Sequence, residues 1–186
     1  MQTTLNLRDS EESLPALKAL NKAIEGRVYE CAVISTADIV FSPDIRRACE
    51  VNLCGNYGRS WACPPAVGTL EELATKILAY KNALVFTTKH DLEDSFDFEG
   101  MQRGKDIHNQ LSLDLHERFG KTNPIYGAGG CSHCEKCAYP DPCRAPEKLL
   151  SSIEASGINV SELSRSAGVK YNNGPNTVTY FSMALF

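Results

Sequence analysis

Behind Ser13, the residues Leu14, Leu17, Leu20 and Ile24 recur at three- and four-residue intervals, the spacing that lines one face of a helix. What precedes them is a polar lead-in. Arg27 to Ser35 reads as a strand, and Ser42-Pro43 then sets a capping residue and a first-position proline at the start of a helix carrying Ile45, Arg46 and Arg47. Thr69-Leu70-Glu71-Glu72 is a capping box, and Leu73, Ile77 and Leu78 behind it predict a helix from about Thr69 to Tyr80. Asn82 to Thr88 supplies the next strand.

Beyond an acidic stretch, Asp91 to Glu99, that reads as a loop, Ile107, Leu111, Leu115 and Phe119 step by four along an amphipathic helix that Gly120 ends. A short strand follows around Pro124 to Tyr126. Pro146 opens a helix that Gly157 closes, a shorter helix runs from Val160 to Ala167, and the β-branched and aromatic run Thr177 to Phe186 makes a last strand. Strands and helices alternate without an internal repeat. The expected fold class is therefore α/β or α+β, a small mixed sheet with flanking helices and the cysteine-rich loops at one end. Residues 1–186 are expected to form a single domain with metal-binding segments at 49–63 and 131–143.

Composition narrows the function classes. A chain of 186 residues buries enough apolar surface to fold without cross-links, so metal or disulfides are not needed merely for stability. With 42% hydrophobic residues, 23% charged residues and a net charge of -4, it has no large basic surface, and no nucleic-acid partner is expected. No run of 18 or more apolar residues is present to span a bilayer, so no membrane role is expected. The first thirty residues lack the apolar core and cleavage site of an export signal, which makes the cytoplasm the expected location. Clustered thiols in a reducing compartment more often hold metal than form disulfides, and this chain has eight cysteines.

Cys131, Cys134, Cys137 and Cys143 have the spacing C-x2-C-x2-C-x5-C. Two-residue gaps let one tight loop wrap three corners of a 4Fe-4S cubane, as in the opening triple of bacterial ferredoxins. The longer gap through Tyr139, Pro140, Asp141 and Pro142 lets Cys143 close the same cluster. A helix starting at Pro146 would turn its positive end toward that anionic centre. Gly127, Gly129 and Gly130 allow close backbone approach. Zinc is the competing reading, although structural zinc sites usually pair two C-x2-C knuckles across a longer spacer. His133 reads as a solvent-facing spacer.

Cys49, Cys54 and Cys63 follow in RRACEVNLCGNYGRSWACPP, where Gly55 and Gly58 permit turns and Pro64-Pro65 sets the exit. Three thiols between two helices suit a second metal, with buried thiols or a zinc loop as the alternative. Arg46, Arg47 and Arg59 lie near them in sequence and would neutralise a cluster or bind an anion, though such arginines are more often solvated or paired. Trp61 and Tyr57 either cover a cluster or pack in the core. His108 and His116, two turns apart, are too far along a helix for a metal clamp and read as surface residues. No phosphate loop is found.

The chain resembles a family of uncharacterised prokaryotic proteins described as predicted metal-binding proteins of unknown function. The resemblance rests on Cys54-Gly55-Asn56-Tyr57-Gly58-Arg59 leading to Cys63-Pro64-Pro65, on Glu71-Glu72, and on Gly129-Gly130-Cys131-x2-Cys134-x2-Cys137 with Tyr139-Pro140 and Cys143-Arg144-x-Pro146. It covers about Ile39 to Gly168. The resemblance implies that Cys49, Cys54 and Cys63 act together. If they hold a cubane, one iron lacks a thiolate from this segment; Cys31, a non-cysteine group or an exogenous molecule would fill the position. Cys31 itself reads as a small core residue of the first strand.

Three functions follow, in order. The first is a redox protein with two 4Fe-4S clusters, an electron carrier or electron-transfer subunit serving a redox protein partner. The second is an enzyme in which the three-cysteine cluster presents an open iron to a small-molecule ligand. The third is a zinc-binding interaction module.

Overall fold

Ala83-Leu84-Val85-Phe86 is an unbroken apolar run, the pattern of a strand covered on both faces rather than one. In the computed structural model, which describes Thr4, Leu5 and residues 14–186, all four are fully buried at the middle of the sheet. Most of the polar lead-in lies outside the described residues.

Among the described residues the sheet has six strands: β1 (Thr4–Leu5), β2 (Glu30–Ser35), β3 (Asn82–Asp91), β4 (Ile125–Gly127), β5 (Ser151–Ser152) and β6 (Thr177–Leu185). Their spatial order is β1-β2-β3-β6-β4-β5. The outer pairs β1–β2 and β4–β5 are parallel, and the three pairs between them are antiparallel. Val85 sits opposite Ala32 on one side and Met183 on the other. Five α-helices among the described residues complete a mixed α+β fold: α1 (Leu14–Ile24), α2 (Pro43–Glu50), α3 (Leu70–Leu78), α4 (Phe98–Phe119) and α5 (Val160–Ala167).

Side chains alternate between two cores because successive strand residues point to opposite faces. On one face Cys31, Val33, Leu84, Phe86 and Ala184 meet Leu17, Leu20 and Ile24 of α1 and Leu111 and Leu115 of α4. On the other, Ala32, Ile34, Val85, Met183 and Leu185 meet Ile77 of α3 and Leu163 and Ala167 of α5. Each fully buried leucine or isoleucine contributes about 1.5–3 kcal/mol of transfer free energy, so the two apolar stripes account for where the helices lie.

Local signals decided several boundaries. The Thr69 hydroxyl accepts from the Glu72 amide while the Glu72 carboxylate accepts from the Thr69 amide, a complete capping box. At α2 the Ser42 side chain makes no capping hydrogen bond, and Pro43 alone marks the start.

The helix expected from Pro146 to Gly157 is absent. In its place are a 3-10 turn at Pro146–Lys148, strand β5 and a second 3-10 turn at Glu154–Ser156, which ends on Gly157 with φ 76. Leu150 packs into the α1/α4 core while Ile153 packs into the opposite one. A helix sets residues i and i+3 on one side, whereas an extended chain paired to β4 sends them to opposite sides. No helix dipole therefore points at the second cysteine segment from Pro146.

His108 corrects another expectation. It is 2% exposed, whereas His116 is half-buried near the end of α4. His108 Nδ1 lies 2.9 Å from the Thr88 hydroxyl and Nε2 lies 2.9 Å from the Ser182 hydroxyl. Ser182 reaches Ser112 at 2.8 Å, and Ser112 donates to the His108 carbonyl. One proton per hydroxyl then orients the whole chain. Ser112 spends its proton on the carbonyl, so it accepts from Ser182; Ser182 therefore accepts from His108 Nε2–H, and Nδ1 accepts from Thr88. Thr88 in turn accepts from His90 Nε2–H at 3.0 Å. The line ends on a backbone carbonyl, which takes no proton onward, so it fastens α4 to β3 and β6. Periodicity places His108 beside the apolar stripe of α4 without revealing that two strands offer hydroxyls there.

Candidate metal centre

The first thiol set grows from the end of α2. Cys49 sits in its last turn, half-buried, and a run of turns then carries an exposed Cys54 and a buried Cys63. Asn52 adopts φ 62 and its side-chain oxygen accepts from the Tyr57 amide at 3.0 Å, which closes the turn containing Cys54. The Gly58 amide donates to the Pro64 carbonyl at 2.9 Å and folds the segment back on itself.

Cys49, Cys54 and Cys63 interact electrostatically with one another. Burial pushes the Cys63 thiol up to about 11, with Cys54 and Cys49 adding to the rise and the Ser60 hydroxyl opposing it. Burial also raises Cys49, as do Cys54 and Glu154, against the opposing charge of Arg46. Burial and the neighbouring negative groups therefore act in the same direction on both Cys49 and Cys63. A bound cation would relieve that repulsion, because it favours the thiolate forms.

The second thiol set lines a single pocket. Cys131, Cys134, Cys137 and Cys143 share it with His133, Ala138 and Leu149. His133 itself is exposed, as a spacer would be. Arg144 folds back to donate to the Lys136 carbonyl, closing the pocket between the third and fourth cysteines. Burial works against a thiolate at Cys137, but the amides of Tyr139, Trp61 and Ala138 and the Ser60 hydroxyl outweigh it and hold this thiol below its ordinary range. Donors aimed at sulfur in this way suit a bound thiolate.

The two segments pack against each other. The Trp61 indole donates to the Asp141 carbonyl at 2.9 Å and meets the Tyr139 ring edge-on, with centroids 5.1 Å apart. Ser60 is 6% exposed, and its hydroxyl favours the thiolate form at Cys63 of the first set and at Cys137 of the second. A side chain added at Gly130 would begin 3.5 Å from the Cys63 sulfur. From the far side, Asn109 of α4 donates to the Ser132 hydroxyl at 2.7 Å. Pro64-Pro65 and Tyr139-Pro140 are both joined by cis peptide bonds.

The arginines divide as their burial dictates. Arg46 bonds to Glu50, to the Ala155 carbonyl at 2.9 Å and to the Gly68 carbonyl at 2.7 Å, so it ties α2 to the turn at Glu154. Arg47 makes only an exposed pair with Asp44, and Arg59 is exposed. Cys31 lies in the α1/α4 core, on the sheet face opposite the one against which Ile153 of the Glu154 turn packs.

Ser60 and Glu154 escaped the sequence reading. A serine three residues before a cysteine is common, and Glu154 is separated from Cys63 by ninety residues, so neither carries a signal until the loops are folded together.

The donors fit a thiolate-bound cluster. Among the described residues, no three His, Cys, Asp or Glu side chains form a group that could hold a metal ion as placed. Four thiols lie along the walls of one pocket, a donor set that suits a thiolate-bound metal. Among the described residues no helix is long and apolar enough to cross a membrane.

No curated protein and no solved structure matches the chain at a significant level. A family model does match, over residues 32–186, further in both directions than the motifs alone reach. With its two thiol sets inside that span, the chain belongs to the family described as "Predicted metal-binding protein (DUF2284)".

Proposed function

We propose that this protein holds two 4Fe-4S clusters, one on Cys131, Cys134, Cys137 and Cys143 and one on Cys49, Cys54 and Cys63, and acts in electron transfer. The observation carrying this reading is the contact between the two segments, where the Trp61 indole donates to the Asp141 carbonyl and the Ser60 hydroxyl favours the thiolate form at both Cys63 and Cys137. Two separate structural metals need no such adjacency. Centres that exchange electrons gain from it, and a hydrogen-bond donor near a coordinating sulfur is one of the ways in which a protein tunes cluster potentials. The reading includes a cytoplasmic location and a redox protein partner that exchanges electrons with the exposed loop around Cys54.

Cys31 lies in the α1/α4 core and the other four cysteines line the second set's pocket, which leaves no further cysteine for the first set. That favours, as the second reading, an enzyme in which one iron of this cluster binds a small-molecule ligand.

The test is chemical analysis of protein purified without oxygen. Brown protein with iron and acid-labile sulfide in equal amounts is expected, with two reduced signals that broaden each other in the paramagnetic resonance spectrum. Colourless protein that holds zinc alone, even after anaerobic reconstitution with iron and sulfide, refutes it.

A further inference from the structure

Three thiolates leave one corner of a cubane without a cysteine. Cys31, the last of the eight, packs among Leu17, Phe86 and Leu111 on the other side of the sheet. The corner must therefore be closed by something else.

We propose that the Glu154 carboxylate is the fourth protein ligand of the centre held by Cys49, Cys54 and Cys63. The assignment rests on the iron-sulfur reading above. Glu154 opens the turn that packs on α2, and the next residue, Ala155, is held by Arg46 through its carbonyl at 2.9 Å. Arg46 and Cys49 are three apart on α2 and so share a face of that helix. On its other side, Glu154 Oε2 accepts from the Gly129 amide at 2.8 Å, and the following Gly130 faces the Cys63 sulfur. The carboxylate is thus tied to the loop that faces Cys63 and sits in the turn that packs on the helix bearing Cys49.

Its hydrogen bonds leave it able to ligate. The Gly129 amide and the Ser152 hydroxyl, at 3.1 Å, both bond to Oε2, and no hydrogen bond among the described residues is taken by Oε1. Bonds to the distal oxygen orient a ligating carboxylate in the way that outer-shell partners do at metal sites generally. The nearby Arg46 guanidinium is already shared among Glu50 and two carbonyls, which leaves the carboxylate without a dedicated ion pair. Iron bound to a carboxylate oxygen exchanges more readily than iron bound to thiolate, so this corner is the one at which the cluster loses iron or admits a ligand.

The experiment compares the full-length chain with Glu154→Gln and Glu154→Cys, each reconstituted anaerobically, by iron counts and low-temperature resonance spectra during titration with ferricyanide. Ferricyanide removes one electron from [4Fe-4S]2+, and the oxidised cluster releases Fe2+ to leave [3Fe-4S]+. Glutamine retains an oxygen acceptor for the Gly129 amide, so loss of the loop clamp does not confuse the result. Glu154→Gln is expected to hold about one iron fewer per chain and to show the three-iron signal before ferricyanide is added, with the second segment's signal unchanged. Glu154→Cys, with a thiolate at that corner, is expected to keep all its iron and to resist ferricyanide better than wild type. Identical iron content and oxidation behaviour in wild type and Glu154→Gln overturns the ligand assignment and leaves the two-cluster reading standing. Wild-type protein that takes up zinc but no sulfide overturns both.

Discussion

Replacing His108 by glutamine tests whether the buried hydrogen-bonded line is as rigid as its proton inventory requires. Burial, reinforced by the positive charge that His90 can carry and opposed by the Phe181 backbone, brings the His108 ring down from 6.5 to about 4. The folded pKa is below the unfolded one. Between pH 6.5 and 4 the unfolded chain therefore binds more protons, and stability rises with pH across that window and is lost as pH falls. The difference between those two values is worth about 3 kcal/mol in full, at about 1.4 kcal/mol per unit. Acidification from pH 7 to pH 5 realises about 2 kcal/mol of it.

Glutamine does not titrate, and its amide still donates to Ser182, but Thr88 loses its acceptor. The variant is expected to be less stable than wild type at pH 7 by about 1–3 kcal/mol. At pH 5 that gap should shrink by about 2 kcal/mol, because only the wild type carries the burden of a buried imidazole that protonates on unfolding. Urea denaturation of both proteins at both pH values measures it, and acid effects on the cysteine loops cancel in the difference. A gap that is the same at pH 7 and pH 5 refutes the neutral, doubly bonded His108.

Ser60→Ala removes a hydroxyl that favours the thiolate form at both Cys63 and Cys137, and is expected to lower the reduction potentials of both clusters by tens of millivolts in a redox titration; a shift in one alone breaks the proposed link. Cys137→Ala should lose the second segment's cluster and retain about half the iron, whereas loss of all iron with the fold intact by circular dichroism means a single shared site. Cys31→Ala should leave iron content unchanged and reduce stability by about 1 kcal/mol in urea unfolding, since its thiol fills space in the α1/α4 core. Loss of the first segment's cluster from that variant would make Cys31 a ligand.

The elements that were legible in the sequence are those whose determinants are local. The Thr69 capping box, the four-residue step of Ile107 to Phe119 before Gly120 and the segment from Val160 to Ala167 are local signals, and α3, the body of α4 and α5 occur there, although α4 begins at Phe98, inside the acidic stretch read as a loop. Pro146 to Gly157 carries equally good helix punctuation, yet forms a strand between two turns. There Leu150 and Ile153 are drawn into different cores, and pairing with β4 outweighs three or four turns of helix propensity.

The thiols divide in the same way. Spacing alone grouped Cys131, Cys134, Cys137 and Cys143, because two-residue gaps constrain how far apart their sulfurs can be, and these four line one pocket. The family resemblance, more than spacing, grouped Cys49, Cys54 and Cys63, and neither carried information on which neighbours surround them. That the Ser60 hydroxyl acts on a cysteine of each set, that the Glu154 turn packs on the helix bearing Cys49, and that Cys31 lies in the α1/α4 core are consequences of long-range packing. Only the docking of α2 on the Glu154 turn, and of Trp61 on the Tyr139 loop, brings residues 109 and 80 positions apart within bonding reach. What the sequence by itself determined was the thiol inventory and the helices that punctuate it, since both follow from near neighbours along the chain. The tertiary structure decided which non-cysteine groups stand around the thiols, because burial and electrostatics depend on contacts that no local pattern encodes.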